Sequence, residues 1–266
     1  MASQHLLRRL NPAAGASVLA VALLVAGCGH KHKKHPPRQQ TAPPVYTTQP
    51  VPAPAPGSNT GRINITPLPP GGITDDDKEF VLTHRPIYSE EGYATWYTAP
   101  YKGRKAANGQ VFDDNALTAA HRTLPMGSLV VVTNLATRQQ SAMRISDRGP
   151  FVEGRIVDLT IAAAKSIGVY RAGTAPVRVD VYQTPKPIET GGRWCVQFGA
   201  FKSESRALRF KRKLIDKYPD AKVIEFPGEK SFWVRIRPAG DDRSQAEDIA
   251  HRYQPDEGDA FLTRLD

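Results

Sequence analysis

The sequence has little cysteine and no recognisable metal-binding spacing. Cys28 and Cys195 are the only 2 cysteines among 266 residues, too few for the disulfide framework that is typical of small secreted domains. His121 stands among scattered aspartates without the regular ligand spacing of a metal site. We therefore expect no disulfide scaffold, no metal and no cofactor.

The N-terminal apolar run is too short to span a membrane. It covers residues 13–26, whereas a spanning helix needs about 20 residues. His5, Arg8 and Arg9 form a basic segment before it, and small residues follow it. This order is typical of an export signal, so we predict a signal peptide over residues 1–27.

The end of that segment predicts a lipid anchor. Val25-Ala26-Gly27-Cys28 resembles the bacterial lipobox, in which the cysteine thiol and its new amino group are acylated. Two or three acyl chains anchor a protein stably, because each buried methylene contributes about 0.8 kcal/mol. Gly29 follows, where an aspartate would signal inner-membrane retention. We expect the periplasmic face of the outer membrane, or the outer leaflet where only one membrane exists; the alternative is an ordinary signal peptide with an incidental cysteine.

Proline and positive charge are unevenly distributed. Most of the 23 prolines precede Gly72, and a segment so poor in apolar residues cannot offset its chain entropy by burial. We predict a disordered, extended linker over residues 28–87. The net charge of +10 would suit nucleic acid, but part of it lies in residues 29–38 and the remainder is dispersed among acids. We expect no nucleic-acid partner.

Short strand patterns occupy residues 88–183. The segments GYATWY, SLVVVTNL, QSAMRIS, GRIVDL and VRVDVY are rich in β-branched and aromatic residues and are bounded by turn residues. One helix is predicted, with Thr160 as N-cap and Gly168 as its stop. Several strands with one helix favour a mainly β fold closed into a small barrel.

A different pattern follows a second linker at residues 184–192. RWCVQFGAF, AKVIEF and SFWVRIRPA read as strands, and SESRALRFKRKLIDKY and SQAEDIAHRY as amphipathic helices. With a last strand near residues 260–263, the order β-α-β-β-α-β predicts an α+β split βαβ (ferredoxin-like) domain over residues 193–266. Its helices would cover one sheet face.

Two loop stretches of the first domain contain groups capable of proton chemistry. Residues 106–125 contain Asp113, Asp114 and His121, and residues 147–151 read DRGPF. Polar groups on turn-rich loops between strands are typical of a site held by a β scaffold. We expect the functional site of the barrel here.

These segments resemble a known family. GYATWY, AANGQVFD, ALTAAHRTLPMG, RISDRGPF and GRIVDLT together resemble rare lipoprotein A (RlpA), a septal lytic transglycosylase with a double-psi β-barrel. The resemblance covers about residues 92–182. It implies endolytic cleavage of peptidoglycan strands that lack stem peptides, with formation of anhydro-muramic acid ends at division sites. Denuded glycan is the expected substrate, and septal division proteins are candidate partners.

The resemblance also assigns site residues. Asp147 matches the central acidic position of the family and is expected to act as acid and then base. Asp113 and His121 match positions that line the same cleft and are candidate catalytic residues, Asp113 tuning Asp147 or holding substrate and His121 hydrogen-bonding sugar or carboxyl. Gln110 and Arg148 are candidate substrate-binding residues. Gln110 departs from the family, because the related active enzyme has glutamate there; an amide keeps the shape but carries no charge and transfers no proton.

Each assignment has a structural alternative. Asp147 could organise a turn before Arg148, which itself could pair with an acid rather than bind substrate. Asp113 could form an Asx turn, and His121 could be a satisfied structural histidine. Asp158 is expected to be structural, because it precedes the helix cap.

The second domain resembles the SPOR domain, a module that binds denuded septal peptidoglycan. Gln197, Gly199 and Phe201 in VQFGAF and the later FWVRI strand carry the resemblance. Phe201 is predicted to bind substrate together with Gln197, Trp233 and Arg235. Strand alternation places Gln197 on the face opposite Trp194. We expect that face to be open to glycan, with Gln197 and Arg235 donating hydrogen bonds and Trp233 stacking on sugar; the alternative is that the aromatic residues are core under the helices.

Two functions are therefore predicted. The leading hypothesis is a lipid-anchored lytic transglycosylase that the terminal domain concentrates at its substrate, since tethering raises effective concentration. The alternative is a weak or inactive glycan-binding, wall-loosening lipoprotein, which Gln110 favours.

Overall fold

The computed structural model describes residues 68–69, 71–98, 101–226 and 230–266. All of them belong to one compact unit, Val51–Asp266. Cys28, the signal peptide and most of the predicted linker lie outside the described residues. Within the described ranges, no helix combines the length and apolarity that crossing a membrane requires.

The first domain is a closed six-stranded barrel, as predicted. Around the barrel the strands follow the order β1-β5-β2-β4-β3-β6. The pairs β1–β5 and β2–β4 are parallel, and the other four neighbouring pairs are antiparallel. The strands are β1 (Tyr88–Trp96), β2 (Thr118–His121), β3 (Leu129–Asn134), β4 (Gln140–Asp147), β5 (Arg155–Leu159) and β6 (Ala175–Gln183).

Branched aliphatic side chains fill the barrel. Val130 and Val132 of β3 and Val177, Val179 and Val181 of β6 are all fully buried. β-Branched residues fit this position because their restricted side chains pack well on a pleated strand. The resulting rigid wall holds the loops at the barrel ends.

Helix α1 (Asp75–Thr83) corrects the predicted extent of the linker. Thr74 and Asp77 form a capping box, in which each side chain accepts a hydrogen bond from the other residue's backbone N–H. Arg144 of β4 then donates to the Asp77 carboxylate through Nε at 3.2 Å. The predicted linker over residues 28–87 therefore contains a helix that is fixed to the barrel wall.

The helix predicted after Thr160 is present but shorter. Helix α2 (Ile161–Ser166) begins after the Thr160 cap, and a separate turn, α3 (Val169–Ala172), follows Gly168. Gly168 has φ 72°, a left-handed conformation that glycine adopts without steric cost. The chain therefore turns at Gly168 into a second short helix, whereas the sequence predicted only the end of the first helix there.

The second domain has the predicted order of strands and helices. Its sheet order is β10-β7-β9-β8, with all neighbouring pairs antiparallel. Trp194, Phe198, Phe210 and Leu214 belong to the core between this sheet and the helices. The elements are β7 (Trp194–Phe201), α4 (Glu204–Arg212), β8 (Lys222–Glu225), β9 (Phe232–Ile236), α5 (Arg243–Arg252) and β10 (Asp259–Arg264).

A register shift in β7 decides which face Phe201 occupies. Pairing with β9 is irregular between Phe198 and Phe201. Phe201 consequently leaves the face of Gln197, is 1% exposed and packs its ring 5.5 Å from that of Phe210 on α4. The prediction that Phe201 binds substrate is not supported by this position, because the side chain is core under the helices.

The other face of the second sheet lies against the barrel. Phe151, from the DRGPF stretch, places its ring 5.3 Å from Trp233, 5.7 Å from Phe226 and 5.9 Å from Phe261. The backbone N–H of Arg264 also donates to the carbonyl of Arg122 at 2.9 Å. The face that was predicted to be open to glycan is therefore largely covered by the barrel.

Candidate functional site

Two aspartates occupy equivalent levels on strands of the barrel wall. Ala120 of β2 pairs with Asp147 of β4 on one side and with Asp158 of β5 on the other. Directly paired residues point to the same sheet face, and strands lie about 4.8 Å apart, so the two backbones are roughly 10 Å apart. Ala120, which lies between them on β2, has a small side chain.

The environment of Asp147 favours a carboxyl that keeps its proton. Burial raises the pKa of Asp147 above its ordinary value, and this effect outweighs the hydrogen bonds that favour the charged form. Its Oδ1 accepts from the backbone N–H groups of Arg148 at 2.8 Å and Ala107 at 3.0 Å. The carboxyl is thus fixed in direction while it remains largely desolvated.

Asp158 has the opposite surroundings. Its Oδ1 accepts from the Thr95 hydroxyl and from the Arg155 guanidinium, contacts that stabilise a carboxylate. Burial raises the pKa of Tyr97 well above its ordinary value, and the nearby charges of Asp147 and Asp158 raise it further. Burial thus raises the pKa of the Asp147 carboxyl, whereas Asp158 is paired with the guanidinium of Arg155.

Both aspartates line a cleft of about 800 Å³ between the barrel and the second sheet. Its barrel wall includes Tyr97 and Tyr101, and its other wall includes Trp233 and Arg235. Ligand sites commonly have volumes of about 300–1,000 Å³ and lie between domains. The cleft is thus large enough for a ligand that reaches Asp147.

Gln110 lies in a different cavity, of about 490 Å³, whose lining does not include Asp147. Its amide Nε2 donates to the carbonyl of Leu68 at 3.0 Å, and its Oε1 accepts from the N–H of Leu68 at 3.2 Å. Asn108 donates to the same Oε1 at 2.7 Å. A glutamate could accept but could not make the donation to Leu68.

Asp113 lines that second cavity too, and it is exposed to solvent. Its Oδ1 accepts from the N–H of Asn115 at 2.9 Å, which is the Asx-turn arrangement. The structure does not bring Asp113 into the cleft of Asp147. Its catalytic role stays a prediction.

His121 is buried, with 2% of its surface exposed. Its Nδ1 accepts from the backbone N–H groups of Thr123 at 3.2 Å and Leu124 at 3.1 Å, so the ring proton is on Nε2. That atom lies 3.3 Å from the Glu90 carboxylate. Burial raises the pKa of Glu90, but the contact with His121 outweighs it and the net pKa is lowered. The expected position in the cleft is not observed, and the contacts match those of a structural histidine.

Arg148 connects the two domains through main-chain carbonyls. Its Nη2 donates to the carbonyl of Asp266 at 2.7 Å and its Nη1 to that of His121 at 3.0 Å, while Nε donates to that of Arg264. Desolvation, followed by the charge of Arg264, lowers the pKa of Arg148 to about 10. The guanidinium remains charged near neutral pH, and these contacts hold the second sheet over Asp147.

The predicted sheet residues of the second domain lie on one face, with restricted access. Arg235 donates to the Gln197 Oε1 through Nε at 2.9 Å, and Gln197 is fully buried. Trp233 is 2% exposed, and its partners are barrel and sheet aromatics rather than the helix-side core. Of the three, Trp233 and Arg235 line the cleft that contains Asp147.

Sequence reasoning missed Asp158, Tyr97 and Arg155 as cleft residues. Asp158 was predicted to be structural because it ends a strand before a helix cap. Its place opposite Ala120 follows from pairing between distant strands, which no local pattern reports. The Tyr97 and Arg155 side chains reach the same cleft.

Comparison with known proteins supports both domain assignments. Residues 89–179 match a family described as "Lytic transglycolase", and residues 190–264 match the SPOR domain family. The solved structures with detectable similarity include the Streptomyces papain inhibitor, 20% identical with a TM-score of 0.31, covering 37% of this chain and 97% of that one. A TM-score of 0.31 does not establish a shared fold.

Three relatives with assigned names are each called "Endolytic peptidoglycan transglycosylase RlpA". The Pasteurella multocida protein is 49% identical over 105 residues, which are 40% of this chain and 36% of the relative. The Campylobacter jejuni protein is 39% identical over 141 residues, covering 44% and 51%. The Helicobacter pylori protein is 34% identical over 202 residues, covering 65% and 63%. The chain thus spans between about a third and two thirds of their lengths.

The two family matches coincide with the two folded domains in their order along the chain. The six-stranded barrel is the double-psi β-barrel that the sequence predicted, and the four-stranded sheet with its helices is the SPOR domain. The chain therefore combines a barrel that matches the family described as "Lytic transglycolase" with a SPOR domain, and it is similar to the proteins named RlpA.

Proposed function

We propose that this protein is an endolytic lytic transglycosylase of peptidoglycan, with Asp147 as its general acid and base. The observation that carries the proposal is the desolvated Asp147 carboxyl, with its raised pKa, in the wall of a cleft of about 800 Å³. A raised pKa makes a carboxyl better suited to act as a general acid. Relatives with the same barrel are named for this activity.

In the first step the Asp147 carboxyl protonates the glycosidic oxygen that leaves the muramic acid ring. The C1–O bond breaks and positive charge develops on the ring. Asp158, which accepts hydrogen bonds from Thr95 and Arg155, supplies a fixed negative charge in the same cleft. A fixed carboxylate stabilises the developing cation without reorganisation.

In the second step the Asp147 carboxylate takes the proton from the primary hydroxyl of the same muramic acid. That hydroxyl oxygen bonds to C1 and closes the anhydro ring, so the bond is cut without consuming water. The backbone N–H donors of Ala107 and Arg148 hold the carboxylate oxygen in place during the exchange.

The proposal also covers the form of the glycan substrate and the location of the protein in the cell. The SPOR domain supports binding to strands stripped of stem peptides at division septa, with septal proteins as partners. The Cys28 lipobox supports a lipid anchor on the periplasmic face of the outer membrane or its single-membrane equivalent. The catalytic roles of Asp113 and His121 stay predictions, because neither residue lines the cleft of Asp147.

The test is a product analysis. Purified protein is incubated with amidase-treated peptidoglycan, and the products are examined by mass spectrometry for anhydro-muramic ends. We expect such ends with the wild-type chain and none with Asp147→Asn. Wild-type protein that binds glycan but produces no anhydro ends would contradict the enzyme assignment.

A second candidate function, glycan binding without turnover, rests on Gln110. The family glutamate is replaced here by an amide whose hydrogen bonds engage the backbone of Leu68. If glycan cleavage requires a carboxylate at position 110, this protein binds glycan but does not cleave it. Gln110→Glu separates the two functions, because only the second predicts that the substitution creates activity.

A further inference from the structure

The cleft of about 800 Å³ is bounded by two domains. Asp147 and Asp158 stand on the barrel side, and Trp233, Arg235 and Lys230 stand on the SPOR side. The SPOR wall is the sheet face opposite the helices. The surface expected to recognise glycan and the carboxyl expected to cut it therefore face the same space.

Cations without ion-pair partners line the cleft. Arg104 and Lys105 on the barrel and Lys230 on the SPOR domain belong to its lining and are exposed. Among the described residues none of the three has a salt bridge or a side-chain hydrogen bond. The acids Asp147 and Asp158 are occupied by the contacts described above. Unpaired cations therefore remain at both walls for an anionic ligand.

Buried donors in the same walls also lack partners. The indole Nε1 of Trp233, a residue that is 2% exposed, makes no hydrogen bond within the described residues, and neither does the Nε of Arg155. A buried donor without a partner costs free energy, so such atoms point to a ligand or water that completes them. Tyr97 and Tyr101 add aromatic surface, which suits sugar rings.

We propose that one glycan segment contacts the barrel and the SPOR sheet at the same time, in the cleft between Asp147 and Trp233. Arg104 and Lys105 bind lactyl carboxylates of muramic acid from one side, and Lys230 binds them from the other. These carboxylates are free only where the stem peptide has been removed, since in peptide-bearing strands they are amide-linked. This inference rests on the proposed function for the identity of the ligand and makes the SPOR domain part of the catalytic cleft.

Binding without turnover tests the composite cleft. The full chain with Asp147→Asn is titrated by calorimetry with a soluble, peptide-free tetrasaccharide of peptidoglycan. We expect a single site per chain. Arg104→Gln and Lys230→Gln should each weaken this one affinity by about two- to fivefold, the range of single exposed ion pairs. Arg171→Gln on α3 and Lys211→Gln on α4, cations outside the cleft lining, should leave it unchanged.

The carboxylates are tested with the same tetrasaccharide after its lactyl groups have been converted to amides. We expect weaker binding and no further effect of Lys230→Gln. Two independent sites, each affected only by substitutions in its own domain, would overturn the composite cleft. If the affinity for the tetrasaccharide is the same before and after amidation, the role of the cations is overturned.

The binding and product measurements distinguish a failure of this inference from a failure of the proposed function. Tetrasaccharide binding to the composite site without anhydro products from the wild-type chain would leave the inference standing and remove the enzyme. Anhydro products from the wild-type chain, together with a tetrasaccharide affinity that Lys230→Gln leaves unaltered, would support the enzyme assignment and overturn this inference. Arg104, Lys230 and Arg171 are exposed and Lys211 is half-buried, so melting temperatures equal to that of the Asp147→Asn parent confirm that the variants are folded.

Discussion

The two cavities of the barrel contain carboxyl and amide groups from neighbouring loops but differ in solvation. The cleft of Asp147 has walls from two domains and holds a carboxyl whose pKa burial raises. The cavity of Gln110 and Asp113 is walled by a barrel loop and by the segment before α1, and its polar groups are occupied by local hydrogen bonds. The comparison shows that two aspartates of neighbouring loops differ in surroundings: Asp147 lies in a cleft lined by both domains, whereas Asp113 is exposed and forms a turn.

The largest expected effect is that of Asp147→Asn on turnover. Loss of a general acid costs about 10²–10⁴-fold, and we expect a loss in that range when anhydro ends are quantified. Asparagine keeps an oxygen that can accept from Ala107 and Arg148, so glycan binding should persist. Turnover retained within tenfold of wild type would mean that the cleft of Asp147 is not the reactive one.

The same substitution should stabilise the fold. The pKa of Asp147 is raised in the folded state, so the folded chain binds this proton more tightly than the unfolded chain, and ionisation costs stability as pH rises above the unfolded pKa of about 3.9. We expect Asp147→Asn to melt at a higher temperature than wild type near pH 7, with the gap closing toward pH 3. A lower melting temperature at pH 7 would contradict the desolvated state.

Asp158→Asn is expected to have a smaller effect on turnover. The variant keeps an acceptor for Thr95 and Arg155 and loses only the fixed charge, so we expect a loss of about tenfold to 10²-fold, at or below the usual effect of one electrostatic group. The informative measurement is kcat with KM unchanged. A change in KM alone would make Asp158 a substrate-binding residue instead.

Asp77→Asn tests the ion pair with Arg144 that attaches α1 to the barrel. The segment just before α1 lines the second cavity. Burial raises the pKa of Asp77, but the Arg144 and Thr74 contacts outweigh it and the net pKa is lowered, so its stabilisation is present at neutral pH and is lost as pH falls below about 3.9. We expect a destabilisation of about 1–3 kcal/mol at pH 7, as for hydrogen bonds to charged groups. Denaturant titrations at pH 7 and pH 3 should show the gap narrowing; a gap independent of pH would exclude the ion pair as its cause.

Gln110→Glu should have the smallest effect. The variant loses the donation to the Leu68 carbonyl, which costs about 1 kcal/mol or less, and we expect turnover to change by less than about tenfold. Gln110→Ala is the control that removes both hydrogen bonds to Leu68. An increase of 10²-fold or more with glutamate would show that the second cavity takes part in the reaction.

Local patterns in the sequence predicted most of the fold. Alternating β-branched residues predicted five of the six barrel strands, and capping and periodicity predicted the helix after Thr160 and the helix–strand order of the SPOR domain. β2 was missed as a strand because TAAH is short and contains small residues. Helix α1 was missed because a proline-rich segment precedes it and its fixing contact, Arg144, lies far along the chain.

The candidate site was only partly predictable. Asp147 was predicted from the DRGPF stretch, since a recognisable loop sequence carries it, and the structure places it in the cleft lining; its catalytic role stays a prediction. The burial of His121 against Glu90 and the move of Phe201 into the core were not, because one depends on pairing across the barrel and the other on a register shift.

The sequence by itself determined the two domains and their order, because strand alternation, helix capping and loop sequences are local properties. Only the tertiary structure decided which groups share a solvent environment. Asp158 joins Asp147 through pairing with Ala120, and the SPOR sheet covers both through Phe151 and Arg148. Desolvation depends on what surrounds a group in space, and strands far apart in sequence supply those surroundings.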